Sequence, residues 1–221
     1  FSARFAYALA LFDDCTIACS KAKDARTKWR AENPQPGGLG GTDEMLAAQE
    51  LPIAWQWMAG REGSINIRDF YQTLSNIQNA LKECPTLQAV VPLEHIGLIA
   101  DEVAADFPHL KAVRDAAVHT PDFAKSPEEI KCHALQGAYS GHGIQTTDNS
   151  RNGFITVMDG RRFCFTKNGQ IVEYELSQFS YERLLSAMRK TYSAFDVAAQ
   201  LTQKMMIQSM ESRKAGDSVG I

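Results

Sequence analysis

Apolar side chains recur at steps of three and four along most of this chain, the spacing of helices that bury one face. From residue 3 to about 32, Phe5, Leu9, Phe12, Ile17 and Trp29 stand in an Ala-rich stretch without Gly or Pro. That pattern predicts one long helix, ended at Asn33-Pro34 because a residue before proline is pushed out of the helical region. Thr42 reads as the N-cap of a short helix to about Gln49, with Asp43 and Glu44 favourable at its positive end. Pro52 starts or kinks the next piece, which carries Trp55 and Trp57. Phe70, Leu74, Ile77 and Leu81 predict a helix over 66–83, stopped by Cys84-Pro85. Ile96, Ile99 and Val103 predict another over 93–105. Pro108 fits the first position of a helix that carries Leu110, Val113 and Ala117 and closes at Thr120-Pro121. A further helix is expected from Pro127 to about Ala138, then a loop from Tyr139 to Asn152.

One stretch reads differently. Phe154–Met158, Arg162–Thr166 and Gln170–Leu176 are strand-like runs, separated by Asp159-Gly160 and Asn168-Gly169. Those pairs supply the positive φ angles of two-residue hairpins. A three-stranded antiparallel meander follows, one face of which needs helices to cover it. Ser177 or Ser180 then caps a long final helix, with Tyr181, Leu184, Leu185, Met188, Tyr192, Phe195 and Ala199 on its apolar stripe. Met205, Met206, Ile207 and Met210 extend it. The expected fold is mainly α: one helical-bundle domain over 1–221, with a β-meander insert at 153–176 before the last long helix.

Composition adds little. Apolar residues make up 44% and charged residues 22% of 221, which suits a globular protein with a core. The net charge of −3 argues for no polyanion overall and leaves room for a local basic patch. Cys15, Cys19, Cys84, Cys132 and Cys164 are odd in number and form no CxxC pair. Free thiols in a reducing, cytoplasmic setting are expected, with no disulfide framework. No apolar run has the length to span a bilayer, so no membrane partner is expected, nor does the start resemble a signal peptide. Cys132-His133 with His142 fits no zinc spacing, and Gly37–Gly41 before Thr42 fits no phosphate loop. Neither a metal nor a cofactor is expected.

Two segments carry candidate chemistry. Lys21, Lys23, Arg26, Lys28 and Arg30 surround Trp29. Such cations meet RNA phosphates, and an indole offers a stacking surface; the same pattern is also that of a solvated helix face. The second is Arg114-Asp115-Ala116-Ala117-Val118-His119. Histidine suits proton transfer near neutral pH, and the planar guanidinium suits phosphate oxygens. Asp115 and His119 share a helical face, so the carboxylate can orient the imidazole. Arg114 and His119 lie about 140° apart on a continuous helix and converge if it ends near Val118, or if a second protomer contributes. Read without chemistry, the segment is a helix end with an exposed Arg and a capping His.

The Arg-x4-His spacing resembles the R-x4-6-H motif of the HEPN superfamily, whose members are helical bundles. The resemblance implies a metal-independent ribonuclease, or an RNA- or nucleotide-binding relative, often a homodimer. Arg114 and His119 would then be the catalytic pair, beside Asp115. The alternative is a non-catalytic bundle that mediates protein–protein interaction, through the meander or the Met-rich final helix.

Overall fold

The computed structural model describes residues 2–34, 42–123, 126–135, 137–141, 144–146 and 156–217. At 119–123, 144, 146 and 213–217 it describes the backbone alone. The Gly-rich segment, His142, Phe154 and Ile155 therefore lie outside the described residues, as does the side chain of His119.

The chain is mainly helical, with a small antiparallel meander. In chain order the helices and strands are α1 Ser2–Glu32, α2 Asp43–Glu83, α3 Pro85–Gln88, α4 Leu93–Asp106, α5 Leu110–Phe123 and α6 Pro127–His133, then β1 Tyr139–Gly141, β2 Ile144–Thr146, β3 Thr156–Asp159, β4 Arg162–Lys167 and β5 Gln170–Glu175, and last α7 Gln178–Ala194 and α8 Asp196–Asp217. No helix of the described residues is long and apolar enough to cross a membrane.

Several expectations held because a local side chain decides them. Thr42 caps α2: its Oγ1 accepts from the Met45 amide at 3.3 Å. Ser177, not Ser180, caps α7 by accepting from the Ser180 amide at 3.3 Å. Asn168 and Gly169 both take positive φ, 52° and 78°, as the tightest hairpin turn requires. In the first hairpin the turn shifts by one residue. Asp159 pairs with Arg162, so Gly160 and Arg161 form the loop, with Gly160 alone at positive φ.

Other expectations are corrected. Pro52 neither starts nor ends a helix; it lies inside α2, which runs unbroken for 41 residues. Pro52 lacks the amide that would bond the Ala48 carbonyl, and packing of the rest of α2 outweighs that loss. Pro108 does not open α5. Pro108 and His109 form a turn, His109 takes φ 69°, and the helix begins at Leu110. α5 continues through Thr120-Pro121 to Phe123. α6 stops at His133 rather than near Ala138. The expected loop after Tyr139 contains the β1–β2 hairpin, with Tyr139 opposite Thr146. The final helix is two: the Phe195 amide bonds the Tyr192 carbonyl three residues back, tightening the turn where α7 gives way to α8.

The chain divides into two compact units, Phe1–Phe70 with Phe107–Glu182, and Tyr71–Asp106 with Arg183–Ile221. The first is built around the meander, ordered β3-β4-β5. Phe163, Cys164, Phe165 and Thr166 of the central strand are all buried, so both its faces are covered. The register sets Phe163 opposite Tyr174 and Phe165 opposite Val172, which gathers the large side chains on one face. α2 lies on that face. Trp57 meets Phe163 edge-on at 5.3 Å, and the Tyr174 hydroxyl donates to the Gly60 carbonyl. α1 adds Phe5, Leu9 and Phe12, with Tyr181 stacked on Phe5 at 6.5 Å. Arg161 joins the meander to α1 by donating to Asp13 at 2.5 Å and lying over the Phe12 ring. In the second unit, Ile96, Ile99 and Val103 form the buried face of α4. Its surface carries Arg183–Asp106 and Lys190–Glu102 pairs.

The α2–meander approach is closest at two glycines. A Cβ at Gly63 would stand 2.5 Å from the Tyr174 hydroxyl and 3.0 Å from Leu176. At Gly97 of α4 the nearest atom would be the movable end of Gln78, at 3.1 Å. In urea titrations followed by circular dichroism, Gly63→Ala should lower stability by about 1–3 kcal/mol, although alanine favours helix. Gly97→Ala should be neutral or raise it by up to about 1 kcal/mol. Equal effects would show that the glycines are not needed for close approach.

Candidate functional site

α5 carries the candidate pair because its opposite side is committed to the core. Val113, Ala116 and Ala117 are buried, and α5 packs on β4, β5 and α6. That leaves Arg114 and Asp115 half-buried at the edge. The Arg114 guanidinium stands 3.4 Å from Oδ1 of Asp115. Lys167, the last residue of β4, stands 3.4 Å from Oδ2 of the same carboxylate. One carboxylate thus lies between two cations from distant parts of the chain. The side chains of Asp115 and Lys167 are 23% and 20% exposed, which shields the pair from much of the solvent screening that weakens surface ion pairs.

The neighbouring turn adds a histidine. The amide of Asn168 donates to Nδ1 of His133, at the end of α6, at 3.4 Å. In that arrangement Nδ1 accepts, so its proton lies elsewhere on the ring. Lys167, which pairs with Asp115, and Asn168, which bonds His133, are thus adjacent residues at this turn. Lys167 and His133 carry no sequence signal for this site. Lys167 is an ordinary strand-end cation, and it meets a residue 52 positions away.

The sequence-predicted pair is not joined by a helix end. α5 runs through position 119 to Phe123, so positions 114 and 119 lie about 140° apart around one helix. Asp115 reaches Lys167 and Arg114.

The basic segment lies on the second half of α1 and is split by the helical period. Lys23, Arg26 and Arg30 fall within about 60° of one another, whereas Lys21 and Lys28 lie on a different side. Arg26 is turned toward α2, donating to Oε1 of Gln49 at 3.0 Å. Lys28 stands 4.0 Å from Glu32, both well exposed. Trp29 is partly buried, and its carbonyl accepts from the side chain of Asn33 at 3.0 Å. Lys23, Arg26 and Arg30 thus share one side of α1.

The Met-rich end of α8 projects into solvent. Leu201, Met205, Met206, Ile207 and Met210 are all exposed.

No family model, curated protein or solved structure matches this chain.

All five cysteines are free. Burial, then the Glu173 carboxylate beside it, push the Cys164 thiol up to about 12. Burial raises Cys15 and Cys19 as well, while Cys132 is exposed. The reactive form is the thiolate, so at pH 8 Cys164 should carry about a thousandfold less of it than an ordinary thiol. In titration with a disulfide reagent, Cys132 should react first and Cys164 only on unfolding. Early labelling of Cys164, mapped by peptide mass, would contradict its burial.

Proposed function

We propose that this protein is a HEPN-like, metal-independent ribonuclease or RNA-binding protein that holds a phosphodiester beside Asp115. The observation that carries the proposal is the placement of the Arg114 guanidinium and the Lys167 ammonium on the two oxygens of one half-buried carboxylate. Asp115 sets the spacing of the two cations. In this reading an RNA phosphate meets the planar fork of donors of Arg114 and the point charge of Lys167, both suited to its non-bridging oxygens. His119 is the proposed proton carrier. In the reaction a base takes the proton of the ribose 2′-OH, the freed oxygen attacks phosphorus, and the leaving 5′-oxygen takes a proton. The products are a 2′,3′-cyclic phosphate and a 5′-hydroxyl. Arg114 and Lys167 offset the charge that grows on phosphorus during the step. The stripe of Lys23, Arg26 and Arg30 supplies further sequence-independent phosphate contacts.

Because positions 114 and 119 lie about 140° apart around α5, the proposed arginine and histidine act on one phosphate across two copies of the chain. Purified protein should cleave total RNA in excess EDTA, and Arg114→Ala or His119→Ala should lower the rate by about 100-fold or more. Mixing the two inactive variants should restore about a quarter of wild-type activity. Half of the resulting dimers are mixed, and each mixed dimer has one intact site of two. If mixing restores nothing, the shared site is wrong. If wild type and both variants cleave equally, or none cleaves, the ribonuclease proposal fails. RNA binding remains if Lys167→Ala and Arg114→Ala each weaken affinity and flatten its salt dependence by about one counterion.

The exposure of the Met-rich end of α8 favours a second reading, a bundle that binds protein. It is distinguished by a functional contact that survives the loss of Arg114 and Lys167.

A further inference from the structure

α2 is apolar on two opposite sides between residues 51 and 67, and only one of them is used within its unit. On the inner side Ala59, Gly60, Gly63, Ser64 and Ile67 are buried; Gly60 and Gly63 admit the meander, while Gln56 bonds Thr16 of α1 at 2.9 Å. On the outer side stand Leu51, Trp55 and Met58, 55%, 44% and 62% exposed. Their spacing of four and then three places them within about 60° of one another on the helix surface. Glu44 and Glu62 are exposed and fall on the same line, one before and one after the apolar three. The face therefore reads acid, apolar anchors, acid, over about 27 Å of helix.

We propose that this face of α2 is a docking helix for a second protein. Its partner surface is an apolar groove with a lysine or arginine at each end. A tryptophan flanked by aliphatic anchors at this spacing is the form in which helices lie in grooves, and tryptophan is enriched among residues that dominate such contacts. The two carboxylates select the partner. RNA and anionic lipid are repelled by acids at both ends of the apolar line. A second copy is disfavoured in either direction. An antiparallel pair sets Glu44 against Glu62 twice, and a parallel pair sets each glutamate against itself. Basic groove ends satisfy both. The Met-rich end of α8 gives no comparable assignment, because its apolar residues surround the helix without a single face or a charge pattern.

The proposal is independent of the ribonuclease reading and uses none of its residues. It is tested with the full-length chain in its own cells, carrying a photo-crosslinking amino acid at position 55. The expected product is a covalent adduct with one other protein. The crosslinked peptide should map to an apolar groove bordered by Lys or Arg. Adduct yield should fall about tenfold or more in Leu51→Asp, Met58→Asp and the Glu44→Lys/Glu62→Lys pair, each checked for native circular dichroism. The Glu44→Gln/Glu62→Gln pair should fall in between. A covalent dimer of this chain, an adduct that survives charge reversal, or no adduct at all would overturn the proposal.

Discussion

The side chains of Phe163 and Tyr174 reach the backbone of α2 because Gly60 and Gly63 place no carbon between them. Much of the first unit depends on that approach. A three-stranded meander cannot stand alone in water, since one face of each strand is left exposed. Here the central strand has cover on both faces, and burying a side chain such as Phe163 or Phe165 contributes about 1.5–3 kcal/mol. The Tyr174 hydroxyl is not left unbonded in this apolar setting, because it donates to the Gly60 carbonyl. Burial raises its pKa, so the neutral form that can donate is the one retained. The same glycines that weaken helix propensity in α2 therefore serve packing, which outweighs propensity.

From that contact the geometry of the candidate site follows. Seating β4 on α2 fixes where its last residue, Lys167, leaves the sheet. The short Asn168-Gly169 turn then has no freedom to carry Lys167 elsewhere, since both its residues hold left-handed angles. α5 packs on the same sheet through Val113, Ala116 and Ala117, which presents Asp115 to Lys167. The ion triad is the outcome of two packed elements meeting. Its partial burial limits solvent screening.

Charge is spread unevenly over a chain of small net charge. The second half of α1 carries the cations that suit a polyanion, and the outer line of α2 is bounded by acids that repel one. Arg26 joins the two helices through Gln49. A polyanion and an apolar helix-binding groove would thus contact the chain through separate helices, the selection in each case set by sign of charge more than by shape.

What the sequence determined by itself was local. Helical spacing located α1, α4 and, in the last third of α2, the stripe of Phe70, Leu74 and Leu81. Thr42, and Ser177 or Ser180, marked caps because a side-chain oxygen can reach an amide two or three residues ahead, and Ser177 is the one of that pair that does. Asn168-Gly169 marked a hairpin because few other pairs adopt its angles. Arg114, Asp115 and the basic half of α1 stood out as candidates by residue type and spacing alone. The rest required the tertiary structure. Pro52 reads in isolation as the start of a helix or a kink in one, and contacts made elsewhere on α2 keep it inside an unbroken helix. Thr120-Pro121 reads as a stop, yet α5 passes through it, which separates positions 114 and 119 around the helix. Lys167 meets Asp115, and His133 meets the Asn168 amide, across long stretches of chain, and no periodicity encodes such meetings. Which apolar face of α2 is buried was also undecided by spacing, because both sides carry suitable residues. Glycine on one side admits a sheet, and that steric difference, felt only when the sheet arrives, leaves Leu51, Trp55 and Met58 outside.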